Sequence, residues 1–166
     1  MPTSDFDQRG QHVHGPQLNA DTINLFGVVN HREAYRYTTA VELYSVVSTT
    51  IRTFLKLRRT IRNGSCSASY LQDLRQKLIE LGARVPDVGQ RMQGAVGEGE
   101  DVSHITALLN VTTRTIKAAV AEAFPGDDSD DDYRQGLDAL RDWPTPQENE
   151  RAAYQVLGEF YRRELA

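Results

Sequence analysis

Beyond Asn30 the apolar residues fall into steps of three and four: Tyr37, Ala40, Val41, Tyr44, Val47, Ile51, Phe54, Leu55 and Ile61. That period belongs to a helix, and no strand can place those side chains on one face. Asn30 and Glu33 supply an N-cap and an acid at the third helical position. Asn63-Gly64 supplies a left-handed stop. A helix over residues 31–62 spans roughly 48 Å, so its length dictates what can pack beside it.

The same logic carries through the rest of the chain. Ser69 with Gln72 forms a second capping box, followed by Leu71, Leu74, Leu78 and Leu81 and ended by Gly82. Pro86 opens a short helix to about Ala95. Asp101 or Ser103 caps a helix carrying Ile105, Leu108, Leu109, Ile116, Ala119, Val120 and Ala123, which Pro125-Gly126 ends. Residues 133–143 form a short helix with Leu137 and Leu140 inward. Thr145-Pro146-Gln147-Glu148 combines an N-cap, a proline at the first helical position and an acid at the third. The last helix then buries Ala153, Val156, Leu157, Phe160 and Leu165. The expected fold is an all-α bundle of five or six helices behind a short extended N-terminal segment. Self-similarity at a repeat period is lacking, which argues against a solenoid.

Residues 10–29 have a different character. They hold three glycines, Pro16 and the amides Gln11, Gln17, Asn19 and Asn24, with Asp21 as the single charge. Val13, Ile23 and Leu25 alternate as extended backbone does. Two units are therefore expected: an amide-rich arm over 1–29 and a helical domain over 30–166. The pattern Gln11-x-Val13-x-Gly15-x-Gln17-x-Asn19, continuing through Ile23-Asn24 to Gly27, resembles the short amyloid-signalling motifs of bacterial conflict-system proteins. That resemblance implies β-stacking between copies, with Val13, Gln17, Asn19, Ile23, Asn24 and Phe26 as the self-association or partner-binding residues. Otherwise the arm packs on the bundle through Val13, Leu18, Ile23, Leu25 and Phe26.

Charge and composition narrow the function classes. The 166 residues carry 19 basic and 23 acidic groups, a net −4, which argues against a generally basic nucleic-acid binder. Residues 1–83 are net +3 and residues 84–166 net −7, an asymmetry suited to orienting a partner or a second copy. A single cysteine excludes an internal disulfide framework. No secretory leader pattern opens the sequence. The longest run without Asp, Glu, Lys or Arg is Val102–Thr113, 12 residues, well short of the roughly 20 that span a bilayer. A cytoplasmic protein is expected.

Several residue groups invite chemistry. Arg52, Lys56, Arg58, Arg59 and Arg62 stand in a stretch free of acids from Leu43 to Gln72. Of these, Arg52, Lys56 and Arg59 share a helical face able to meet an acidic protein, a phosphate or an anionic lipid. His12 and His14 would lie on one side of a strand, with His31 the nearest third nitrogen, but no metal site is assigned. Asp127, Ser129 and Asp131 imitate the first positions of a calcium loop, yet Asp132 stands where the turn needs glycine and Asp138 where a glutamate chelates. An interhelical turn charged for the following helix start fits better. Cys66 lacks a nearby base, with His104 a distant one, and no phosphate-binding, hydrolase or metalloprotease motif occurs. Neither catalytic residues nor a cofactor are assigned. The expectation is a non-enzymatic protein-interaction or oligomerisation module of a bacterial signalling or defence system. Alternatives are a membrane-acting helical effector and a nucleic-acid regulator using the basic face.

Overall fold

The helical period over residues 30–62 becomes a single rod that starts earlier than its apparent cap. A computed structural model describes residues 20–166 apart from Ser65, with side-chain surroundings from His31 onward. The chain forms α1 (Ala20–Arg62), α2 (Ala68–Ala95), α3 (Ser103–Ala123), α4 (Asp131–Asp142) and α5 (Pro146–Glu164). The fold is all-α, and no strand occurs among the described residues. At 43 residues α1 is about 65 Å long. Ile23, Asn24 and Phe26 therefore lie on helical backbone, not on the extended backbone read from their spacing. Short apolar runs fit both periods, and here continuation of the long helix takes precedence. Val13, Gln17, Asn19, His12 and His14 lie outside the described residues.

The buried line of α1 runs through Ala40, Leu43, Val47, Thr50, Phe54 and Leu57. Its steps of three and four keep one face turned to the neighbouring helices. Thr50 takes an apolar place because its hydroxyl donates to the Val46 carbonyl at 2.7 Å. Tyr37 and Val41, expected inside, are exposed. They lie beside this line, where no other helix covers them.

Helix α2 corrects the expected break at Pro86. Leu74, Leu78, Leu81, Val85, Val88, Met92 and Ala95 are all buried, at alternating steps of four and three. A proline inside a helix costs about 3 kcal/mol through its lost hydrogen bond and ring clash. Burying a Val or Met side chain gains about 1.5–3 kcal/mol. Val85, Val88 and Met92 together outweigh the proline, whose own ring faces solvent.

Helices α1, α2, α3 and α5 form a four-helix core, with α4 laid along the outside of α3. α1 and α3 run parallel, α2 runs antiparallel to α1, and α5 runs antiparallel to both α1 and α3. The main core gathers Leu43, Val47, Ile51, Val88, Met92, Ile105, Leu108, Leu157 and Phe160. A smaller cluster of Phe54, Leu57, Leu74, Leu78 and Ala119 fills the end near the α1 C-terminus. Asn63-Gly64 ends α1 as expected, with Gly64 at φ +65° and its N–H donating to the Ile61 carbonyl at 3.0 Å.

Gly136 sets how closely α4 approaches α3. A Cβ there would sit 2.5 Å from the Lys117 carbonyl oxygen and 2.7 Å from the Ala121 methyl. Alanine in a helix interior normally gains about 1 kcal/mol over glycine, whereas overpacking costs about 1–3 kcal/mol. Backbone cannot move aside as a flexible side chain can, so the clash dominates. Gly136→Ala is expected to lower the urea midpoint; a raised midpoint would contradict this packing.

Candidate interaction surface

The five cations near the α1 C-terminus do not form one surface. Arg58 is wholly buried. Its Nε donates to Glu122 Oε2 of α3 at 2.6 Å, Nη1 to Asn149 Oδ1 of α5 at 3.2 Å, and Nη2 to the Trp143 carbonyl at 3.0 Å. Asn149 Nδ2 in turn donates to Thr115 Oγ1 at 2.9 Å. Arg62 shares Glu122, donating to Oε1 at 2.6 Å, and also reaches the Pro144 carbonyl. Arg59 pairs with Glu150 of α5. These three arginines therefore join α1 to α3, α5 and the α4–α5 loop.

Arg52 and Lys56 remain. They line a groove of about 430 Å³ between α1 and α2, together with Thr53, Tyr70, Asp73, Leu74 and Lys77. Neither they nor Lys77 forms an ion pair among the described residues. Arg52, Lys56 and Arg59 are all exposed on α1; Arg59 pairs with Glu150 of α5, and Lys77 of α2 lines the groove with the other two. Lys77 sits on a different helix, so α1 periodicity gives no sign of it.

A second groove, about 400 Å³, runs between α2 and α3. Its walls are Phe54, Leu78, Ile79, Ile116, Val120 and Phe124, with Arg75 on the rim over the Phe124 ring at 5.6 Å. Ile79 is 58% exposed and Val120 39%. Val120 was expected in the core; α3 is apolar over a wider arc than its neighbours cover. Ile79 stands off the Leu74–Leu78–Leu81 line, a sign of surface placement readable in the sequence. A third groove, about 280 Å³, continues from Ile116, Val120 and Phe124 to Tyr133, Asp130 and Asp132.

The acidic loop organises α4. Asp130 accepts from the N–H of Asp132 at 2.8 Å and caps the helix. Asp127 accepts from the Ser129 N–H at 3.0 Å, and that bond holds its carboxyl below the usual range. Asp132 pairs with Lys117 at 3.0 Å and Asp131 with Arg134. No group of three or more metal-ligating side chains occurs among the described residues. His31 is exposed on α1. Cys66 follows α1, at the end of the bundle where Arg62 meets Glu122. His104 is eighteen residues before Glu122 on α3, so roughly 27 Å away along the helix.

His104 belongs to another ion cluster. Arg36 grips Glu164 with Nε at 2.8 Å and Nη2 at 2.9 Å, and donates through Nη1 to Glu100 at 2.6 Å. His104 Nε2 donates to Glu164 Oε1 at 2.7 Å, while the buried Nδ1 has no partner among the described residues. Burial pushes the Glu164 carboxyl up, but the hydrogen bonds from Arg36 and His104 outweigh it and hold the group below its ordinary value. This cluster ties the start of α3 and the end of α5 to α1.

Comparison with family models, curated proteins and solved structures gives no match.

Removing Arg58 leaves Glu122 and Asn149 unpaired, and breaking a buried pair from one side costs about 3–5 kcal/mol. Arg58→Ala should lose that much in urea unfolding. Arg58→Ala with Glu122→Ala should lose less than the two single changes combined, because the pair acts as a unit. Full additivity would remove the coupling.

Glu164 gives a pH dependence of definite sign. Its folded pKa lies below the unfolded value of about 4.3, so the folded state binds fewer protons. Its contribution is complete above about pH 4.3 and is lost as the pH falls through the folded value. Glu164→Gln should flatten the fall in stability below about pH 4.3. An unchanged acid slope would show that the carboxylate contributes nothing.

Proposed function

We propose that this protein is a non-enzymatic interaction module whose helical domain supplies a docking face. The carrying observation is the α2–α3 surface. There, exposed Ile79 and Val120 rim an apolar groove, with Arg75 at its edge over the Phe124 ring. A contiguous apolar groove rimmed by charge is the usual mark of a protein-binding surface. A helix that buries Leu74 and Leu78 on one side and leaves Ile79 wet on the other has spare adhesive area.

The amide-rich residues 10–29 support a second association element and a place in a bacterial signalling or defence assembly. The helical start at Ala20 confines an extended stacking segment to residues before it. A membrane-acting effector finds less support: no helix among the described residues is long and apolar enough to cross a bilayer. The basic groove keeps nucleic acid as the second reading, since cations without partners can meet phosphates.

Light scattering coupled to size exclusion, on the full chain and on a chain beginning at Ala20, tests the module reading. The full chain should form concentration-dependent assemblies. Strict monomers from both chains at every concentration would defeat it. Duplex DNA binding whose affinity falls steeply with salt, in the absence of self-association, would favour the nucleic-acid reading instead.

A further inference from the structure

We infer that the seam between α1 and α5 pairs two copies of this chain about a twofold axis, each copy laying the projecting start of its α1 along the seam of the other. The inference rests on the module reading and goes beyond it by naming a second copy as partner, on a face apart from the α2–α3 groove. Two observations carry it: an aromatic strip along the seam, and a length of helix that the bundle leaves uncovered.

The strip follows from periodicity. On α1, Tyr37, Val41, Tyr44 and Ser48 stand at steps of four, three and four, so they share one side of the helix. On α5, Tyr154, Gly158 and Tyr161 stand at steps of four and three. The Tyr44 and Tyr161 ring centroids are 5.7 Å apart, which sets the two rows side by side. The Arg59–Glu150 pair joins the same two flanks further along. Tyr37 is 56% exposed and Tyr161 46%, and Val41 and Tyr154 are exposed as well. Tyrosine gives large contact area with a polar tip and is enriched at protein interfaces. Glycine inside a helix costs about 1 kcal/mol against alanine, yet a Cβ at Gly158 would meet nothing within 4 Å among the described residues. Packing within the chain does not call for that glycine, whereas a helix laid on the seam uses it to approach closely.

The uncovered helix is the start of α1. Glu164 at the end of α5 and Glu100 of the α2–α3 loop both bond Arg36, so the bundle ends at that level. From His31 to Thr38 every residue except the half-buried Arg36 is exposed, and burial on α1 begins at Thr39. The helix nevertheless runs outward to Ala20, about 24 Å beyond Arg36. A lone helix of this length is marginal in water, because helices in proteins draw most of their stability from packing an apolar side. Outward from Tyr37 the sequence keeps the same steps of four and three, through Glu33, Asn30, Phe26 and Ile23.

A twofold axis at the level of Tyr37 joins the two halves of this line. It sets residues 20–36 of each copy, antiparallel, beside residues 38–54 of the other. Each projecting helix then lies along the partner copy's seam, and Tyr37 meets its own kind. This is the isologous arrangement, in which one patch contacts the same patch. The paired length is about 50 Å and a helix is about 10 Å across, which gives on the order of 1,000 Å² in total, the size from which a specific interface holds. A foreign helix on the seam would leave the start of α1 bare; a second copy covers both.

The test is sedimentation equilibrium on the full chain, with circular dichroism confirming that each variant is folded. The native chain should dimerise. Tyr37→Glu and Tyr161→Glu, both at exposed positions, should each weaken the dimer at least about tenfold. Val120→Asp, in the α2–α3 groove, should leave it unchanged. Orientation is read by a short bismaleimide in a Cys66→Ser background. Tyr37→Cys should cross-link copy to copy, and Thr38→Cys, turned about 100° away on the helix, should not.

Equal cross-linking at the two positions would overturn the twofold pairing. So would association that ignores both tyrosine changes, or that only Val120→Asp abolishes; the module reading would then survive through another surface. Strict monomers of the native chain and of a chain beginning at Ala20, at every concentration, would defeat inference and module reading together.

Discussion

One guanidinium holds the helices of this protein in register. Arg58 is fully buried, and its fork reaches Glu122 on α3, Asn149 on α5 and the Trp143 carbonyl before α5. A buried charge is tolerated only with partners in good geometry. The partners come from three segments distant in sequence, so those segments must settle at one height along α1. Rotating α1 by one residue would swing Arg58 away from all three partners. The apolar core near it, Phe54 and Leu57 with Ala119, would accept several registers; the ion cluster accepts one.

That constraint also decides what the surface looks like. Arg58, Arg59 and Arg62 are consumed by Glu122 and Glu150. The run of five cations therefore contributes only Arg52 and Lys56 to the face beside α2, where Lys77 joins them. At the opposite end of α1, Arg36 and His104 converge on Glu164. α5 is thus pinned at its start by Asn149 and at its end by Glu164. Among the described residues nothing comparable binds the outer face of α2, whose links to α1 include the exposed Arg91–Glu42 pair at 2.9 Å. The outer edge of α2 is where adhesive and charged groups are left over.

Local signals were the legible part of the fold. Thr145 and Glu148 make the reciprocal capping box that their spacing demands, at 2.9 and 3.2 Å. Asn63-Gly64 ends α1. These features depend on residues within one turn. Pro86 misled because its penalty is local, whereas the compensation from Val88 and Met92 comes from contacts with other helices. Arg58 was readable only as one more cation, since its burial depends on Glu122 and Asn149, 64 and 91 residues away. The basic groove was legible only in part: spacing on α1 gives Arg52 and Lys56, while Lys77 comes from another helix.

The apolar α2–α3 groove is a modest surplus, and its size bears on what it can do. Full burial of a valine or isoleucine gains about 1.5–3 kcal/mol, so partial coverage of Ile79 and Val120 supplies a few kcal/mol at most. Association also costs translational and rotational freedom of at least about 4 kcal/mol. Apolar contact at these two positions alone would roughly break even. A docked partner would therefore have to make further contacts beyond these two side chains.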